Sequence, residues 1–241
     1  MTTTVKLTLS NHEVNRLFTR ELKNGVNFYQ KLMSKVASLI KSCKEQRVYA
    51  LLSLYQMNDA VNTLIQKFYD DIDKFEGVLE KKKHLAGKKI TYQPVHFPEV
   101  CFDSALANSL VELFEVYDHF ISLLKTLRTA GCFTNDDDYF NNLRRAFKEV
   151  NRLLSTLLVS SVKDLPSITL NEVIHQKEPY QLHTQYHGEM DYSLLYKALT
   201  SNVAPRLEEK IRQPLLSCLN KRLEQECEPL SSHHSEERGA A

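Results

Sequence analysis

Polar and apolar residues alternate along Thr3-Thr4-Val5-Lys6-Leu7-Thr8-Leu9-Ser10, the period-two pattern of a strand with one buried face. Val5, Leu7 and Leu9 point one way, and Thr4, Lys6 and Thr8 the other. So short a strand cannot satisfy its own backbone groups. No hairpin partner follows it, so the same strand of a second copy is the expected partner. Ser10 stands three residues before Glu13, the spacing of a capping box. The helix it predicts carries Val14, Leu17, Phe18 and Leu22 on one face and ends at Asn24-Gly25. Asn27 can cap a second helix, in which Phe28, Leu32, Val36, Leu39, Ile40 and Cys43 recur at helical spacing. The order is strand, helix, helix.

Helical periodicity then dominates. From 46 to 84, Val48, Leu51, Leu52, Tyr55, Val61, Leu64, Ile65, Phe68, Ile72, Phe75 and Leu79 predict one long helix. Its aromatic stripe, Tyr55, Phe68 and Phe75, is the pattern of a bundle core rather than of a platform for stacking bases. Glu80-Lys81-Lys82-Lys83-His84 and Gly87-Lys88-Lys89 form a basic helix end and turn. Residues 90 to 98 read as an extended segment whose prolines confine it to an edge or a loop. Asp103-Ser104 caps a helix carrying Leu106, Leu110, Leu113, Phe114, Tyr117, Phe120, Ile121 and Leu124. Asn135-Asp136-Asp137-Asp138 opens another, with Phe140, Leu143, Phe147, Val150, Leu154 and Leu157 inside. The three aspartates suit a helix N-terminus, and the glycine and terminal glutamate of a twelve-residue calcium loop are absent. Pro166, Pro179 and Gly188 mark 162 to 189 as a connecting stretch. A last helix, from about Asp191 to Gln225, should kink or break at Pro205 and Pro214. The expectation is a mainly α chain with a unit at 1–45, a helical bundle at 46–225 and a disordered tail at 226–241.

Composition changes this picture little. The six glycines and seven prolines among 241 residues leave room for long helices. No apolar run approaches the roughly twenty residues of a membrane span, and the start lacks the basic and apolar regions of a signal peptide, so a cytoplasmic protein without membrane association is expected. The five cysteines are scattered without a C-x-x-C pair and read as reduced, packed thiols. His183 and His187 stand four apart, yet the zincin pattern fails because no glutamate follows His183. No phosphate-binding glycine loop, nucleophile elbow or apolar carboxylate pair is found, so no catalysis, metal or cofactor is expected. Charge is more informative. Residues 1 to 44 hold Lys6, Arg16, Arg20, Lys23, Lys31, Lys35, Lys41 and Lys44 against Glu13 and Glu21, in a chain whose net charge is +1. Such a local excess is what phosphate binding needs; lysines on a solvated helix face also simply favour solubility.

A strand obliged to pair with its twofold mate, followed by two helices, resembles the ribbon-helix-helix DNA-binding proteins. That resemblance implies paired strands in the major groove, with Thr4, Lys6 and Thr8 facing base edges. It also implies a phosphate at the start of the second helix, near Gly25, Val26 and Asn27, with Arg20, Lys23 and Lys31 holding further phosphates. Val5, Leu7, Leu9, Leu17, Phe18, Leu32 and Val36 would form the dimer core.

A second resemblance covers residues 3 to 160. Phe18-Thr19-Arg20, Gln93-Pro94-Val95-His96-Phe97, Tyr117-Asp118 followed by Leu127-Arg128-Thr129-Ala130-Gly131, and Leu143-Arg144-Arg145-Ala146-Phe147 resemble, in order and spacing, the AcaB-like proteins of conjugative plasmids and integrating conjugative elements. This resemblance implies a homodimeric activator of conjugative-transfer genes that binds double-stranded promoter DNA. A different class stays open: a non-enzymatic helical adaptor or structural protein of a conjugation or secretion machinery, whose strand merely makes a dimer. A bundle pocket that senses a small molecule is a third possibility.

Overall fold

The computed structural model describes residues 4–23, 25–82, 93–101, 103–159, 166–203, 205 and 209–227. Among these residues the chain is mainly α, as its periodicity requires, with nine helices and one two-stranded sheet. Two compact units are present: Met1–Leu39 with Leu54–Asp164, and Ile40–Ser53 with Leu165–Ala241. The sequence boundary at residue 45 falls inside the second unit. None of the described helices is long and apolar enough to cross a membrane.

The first unit contains β1 (Thr4–Lys6), α1 (His12–Thr19), most of α2 (Phe28–Lys44), most of α3 (Val48–Glu80), β2 (Glu99–Cys101), α4 (Ala105–Thr129) and α5 (Asp136–Val159). Its centre is α4. Sixteen of the 25 α4 residues are buried, and along its length a narrow stripe, Asn108, Glu112, Glu115 and His119, stays exposed; a helix with so wide an apolar face must be enclosed by others. The Ser104 hydroxyl caps it by accepting from the Ala107 amide at 3.2 Å, and Gly131, at φ 65°, turns the chain after it. From α3, Phe68 packs on Tyr117 and Phe120 with centroids 5.7 and 5.3 Å apart, and Phe75 lies 5.9 Å from Phe120. Phe68 of the aromatic stripe is therefore core, and Phe75 is half-buried beside it. From α1, Phe18 meets Phe114 edge-on at 4.8 Å.

The partner of β1 is in the same chain, which corrects the expectation that a second copy must supply it. Thr4, Val5 and Lys6 pair antiparallel with Cys101, Val100 and Glu99. The ladder continues where the Leu7 amide donates to the Pro98 carbonyl and the Leu9 amide to that of His96, each at 2.9 Å. Pro98 hid this pairing, since a proline reads as a strand breaker although its carbonyl still accepts. Leu7, Leu9, Leu17, Phe18, Leu32 and Val36, expected to form a dimer core, are instead buried within this chain, and Val5 is 49% exposed.

The cap of α1 also differs. Ser10 and Glu13 form no capping box; Asn11 is the residue before the helix, and its side chain makes no cap bond. Asp118 of α4 takes both groups instead. Its carboxylate accepts from the Ser10 and Asn11 amides at 2.9 Å each, while the Asn11 side-chain amide donates to the Asp118 carbonyl at 2.8 Å and to the Ser122 hydroxyl at 2.8 Å.

In the second unit the turn between α2 and α3 is pinned to the chain before α6 (Leu170–Ile174). The Val48 amide donates to Ile168 and the Leu170 amide to Gln46, both at 2.9 Å. The stretch expected to be only a connection holds α6 and α7 (Glu178–His187). Thr169 and Glu172 form a full capping box, and Pro179 sits in the first turn of α7, where its missing amide costs no bond. The expected last helix is two, α8 (Tyr192–Thr200) and α9 (Glu209–Cys227), with Pro205 between them and Pro214 inside α9.

Asp118→Ala leaves the buried Asn11 amide and the part-buried Ser10 amide without their acceptor, while the Asn11 side chain keeps the backbone carbonyl and Ser122, so it should cost about 3 kcal/mol in urea unfolding. Tyr117 provides the opposite case, because its hydroxyl is buried without a hydrogen-bond partner among the described residues. Tyr117→Phe should raise stability by about 1 kcal/mol in the same assay.

Candidate nucleic-acid interface

Alternation places the candidate reading residues as the sequence predicts. Thr4, Lys6 and Thr8 are exposed while Leu7 and Leu9 are 3% and 0% exposed. Because the odd-numbered residues bond to the β2 side, the two-residue period of an antiparallel ladder turns the amides and carbonyls of Thr4, Lys6 and Thr8 to the other edge. The sheet has two strands among the described residues, so that edge of β1 carries no strand.

The ribbon also adds neighbours that single-strand reasoning missed. Glu99 is exposed and lies opposite Lys6 in register, and Phe97 falls opposite Thr8 between the Lys6–Glu99 and Leu9–His96 pairs. Phe97 is 55% exposed and Val95 60%. The face that presents Lys6 therefore also holds a carboxylate and apolar side chains. Their signal was the odd-numbered alternation of Val95, Phe97 and Glu99, interrupted in the sequence by Pro94 and Pro98.

The expected phosphate contacts divide. Arg20 and Lys23 are exposed, and the Arg20 guanidinium donates to the Asn151 side chain of α5 at 3.1 Å while lying 5.4 Å from the centre of the Phe28 ring. Gly25 holds a positive φ of 72° in the tight turn before α2, its amide donating to Leu22 at 2.8 Å. The start of α2 is already occupied. The Phe28 amide donates to the Arg20 carbonyl at 2.8 Å, the Gln30 amide to the Asn27 side chain at 3.2 Å, and the other end of the Asn27 amide to the Phe18 carbonyl. Asn27 is thus the expected helix cap, and these bonds compete directly with the expected phosphate. Lys31 is half-buried. Asn24, the basic turn beyond Lys82 and the tail beyond Cys227 lie outside the described residues.

Behind the ribbon, Lys125 of α4 donates to the Asn11 side chain at 2.8 Å and pairs with Glu13 at 3.1 Å. Burial pushes the Glu13 carboxyl up, but its backbone hydrogen bond and the Lys125 ammonium together outweigh burial and hold it below the usual glutamate value. Elsewhere, His183 and His187 stack with centroids 4.6 Å apart, and His183 Nε2 meets the Tyr49 hydroxyl. Among the described residues no group of three or more His, Cys, Asp or Glu could hold a metal.

No protein-family model and no curated protein matches the sequence. Among solved structures the chain is similar to selenomethionine-containing AcaB from uropathogenic E. coli, at 13% identity and a TM-score of 0.42, over 92% of this chain and 98% of that one. No residue role is carried over from it.

The lowered Glu13 value sets the sign of a pH dependence. Its contribution is fully present above the ordinary value of 4.5 and is lost as the pH falls through the lowered folded value. Glu13→Gln should therefore lower the urea midpoint at neutral pH and flatten its fall in acid, the two proteins converging at the acid end.

Proposed function

We propose that this chain is a non-enzymatic, sequence-specific DNA-binding regulator of transcription that reads promoter DNA with its N-terminal ribbon. The observation that supports this most directly is the exposed row Thr4, Lys6, Thr8 on a two-stranded antiparallel ribbon anchored by buried Leu7 and Leu9. A ribbon of this kind fits the major groove, where Lys6 would donate to guanine acceptors and the threonines would use hydroxyl or methyl contacts. The outer edge of β1, which carries no strand among the described residues, supports a dimer in which two such edges pair about a twofold axis. Activation, and conjugative transfer as the process controlled, rest on the sequence resemblance to AcaB-like proteins alone.

One observation favours a second reading. Val95 and Phe97 expose apolar surface on the same face as Lys6, with Glu99 beside them. A ribbon that docks another protein would use such a mixture, which keeps the adaptor of a conjugation or secretion machinery in view.

Deleting residues 1–10 would also strip Leu7 and Leu9 from the core, so point substitutions are the cleaner test. Lys6→Ala should cost about 1 to 3 kcal/mol on promoter duplex from the protein's own element and little on random duplex, measured by fluorescence anisotropy at two salt concentrations. Lys31→Ala should weaken both alike. Equal losses on the two duplexes for Lys6→Ala would remove the base-reading role, and loss of protein partners on Phe97→Ser with DNA binding intact would favour the adaptor.

A further inference from the structure

A second basic surface lies on the exposed side of α5. Of the residues expected inside, Val150, Leu154 and Leu157 are buried, with Ala146 beside them, whereas Phe140 and Phe147 are 37% and 42% exposed, which corrects that expectation. The opposite side repeats at helical spacing as Asn141, Arg144, Arg145, Lys148, Asn151 and Arg152, with the four cations all exposed. Arg144, Lys148 and Arg152 fall at i, i+4 and i+8, a row about 12 Å long at 1.5 Å per residue. Asn141, Arg144, Arg145, Lys148 and Glu149 line an open depression of about 460 Å³ along it.

The charge balance of this face is one-sided. Arg145 is held by Asp71 of α3 at 2.9 Å, and Glu149 is held by Lys67. That removes the two nearest carboxylates. Among the described residues no carboxylate lies in ion-pair distance of Arg144, Lys148 or Arg152, and on the helix itself the row ends toward Asp137, seven residues before Arg144. At the other end the Arg20–Asn151 hydrogen bond brings the residue that follows α1 onto the same row. Lys35 of α2 donates to the Leu158 carbonyl near the end of α5, and Lys31 stands one turn before Lys35 on the same side of α2. Phe147, 42% exposed, flanks the cations.

Three cations on an exposed helix face, with no carboxylate in ion-pair distance among the described residues and in a chain whose net charge is +1, have one complementary macromolecule in a regulator of transcription. We propose that the outer face of α5, with Arg20 at its end, binds the phosphate backbone of duplex DNA through Arg144, Lys148 and Arg152. This rests on the DNA-binding reading for the choice of partner but uses a different element from the ribbon. Duplex DNA carries one charge per about 1.7 Å of axis, so a row of this length spans several phosphates. It supplies affinity without sequence choice, whereas the ribbon supplies sequence choice.

The test uses the full chain with Arg144→Gln, Lys148→Gln and Arg152→Gln combined, beside Lys6→Ala and the unmodified protein. Anisotropy is measured on promoter and random duplexes over a salt series, with the urea midpoint as a check on folding. The expected result is an about tenfold or larger loss on both duplexes at low salt, and a salt slope shallower by about 2 to 3, since each phosphate contact contributes about 0.9 to that slope. The urea midpoint should stay unchanged. An unchanged slope and affinity in the triple variant, with promoter preference lost in Lys6→Ala, would overturn the α5 proposal and leave the ribbon reading standing. The loss in the triple variant with Lys6→Ala indistinguishable from the unmodified protein would support α5 and remove the ribbon as reader. Absence of any duplex binding by the unmodified protein would overturn both.

Discussion

The first unit depends on one carboxylate. Asp118 sits on the most enclosed helix of the unit and receives two successive backbone amides from the chain between β1 and α1. Buried polar groups need hydrogen-bond partners, and through these two amides Asp118 fixes where the N-terminal segment enters. The Asn11 side chain makes this attachment reciprocal by donating back to the Asp118 carbonyl and to Ser122, and Lys125 closes the network through Asn11 and Glu13. The direction in which β1 leaves the bundle, and therefore which residues it shows to solvent, follows from this contact.

Once β1 is anchored, its alternation does two jobs. Leu7 and Leu9 join the apolar core, and Lys6 and Thr8 beside them are exposed. Pairing with β2 satisfies one edge, and among the described residues the other carries no strand. It also brings Phe97 and Glu99, some ninety residues away in sequence, onto the face of Lys6 and Thr8. The chemistry of the candidate interface is therefore that of a ribbon made by one chain, in which a lysine, two hydroxyls, a carboxylate and a phenyl ring share a surface. A twofold pairing of β1 edges would double that surface without changing its composition.

The helices meet two different demands. Those in contact with α4 satisfy it by burying one stripe each, and their outer sides are free to vary in charge. On α5 that freedom is used for cations, while acids from neighbouring positions are tied to Arg145 and Lys67. In the second unit the demand is local: backbone bonds at the α2–α3 turn and a capping box at Thr169 order a stretch whose prolines and glycine suggested none. Proline at the first turn of a helix is permissive, and only its neighbours decide whether it starts or stops one.

By itself the sequence determined everything that repeats at short range. The mainly α class, the long helix near 48–80, the Asn27 and Ser104 caps and the outward set Thr4, Lys6 and Thr8 follow from spacing over a few residues, where the backbone geometry of one element is enough. The tertiary structure alone decided who meets whom. Nothing local tells β1 that its partner begins after Pro98, that Asp118 replaces the Ser10–Glu13 capping box, or that the first amides of α2 are used by Arg20 and Asn27. These are choices between competing partners of similar intrinsic strength, and a hydrogen bond gains or loses by which donor is buried beside it, a quantity set only when distant segments pack.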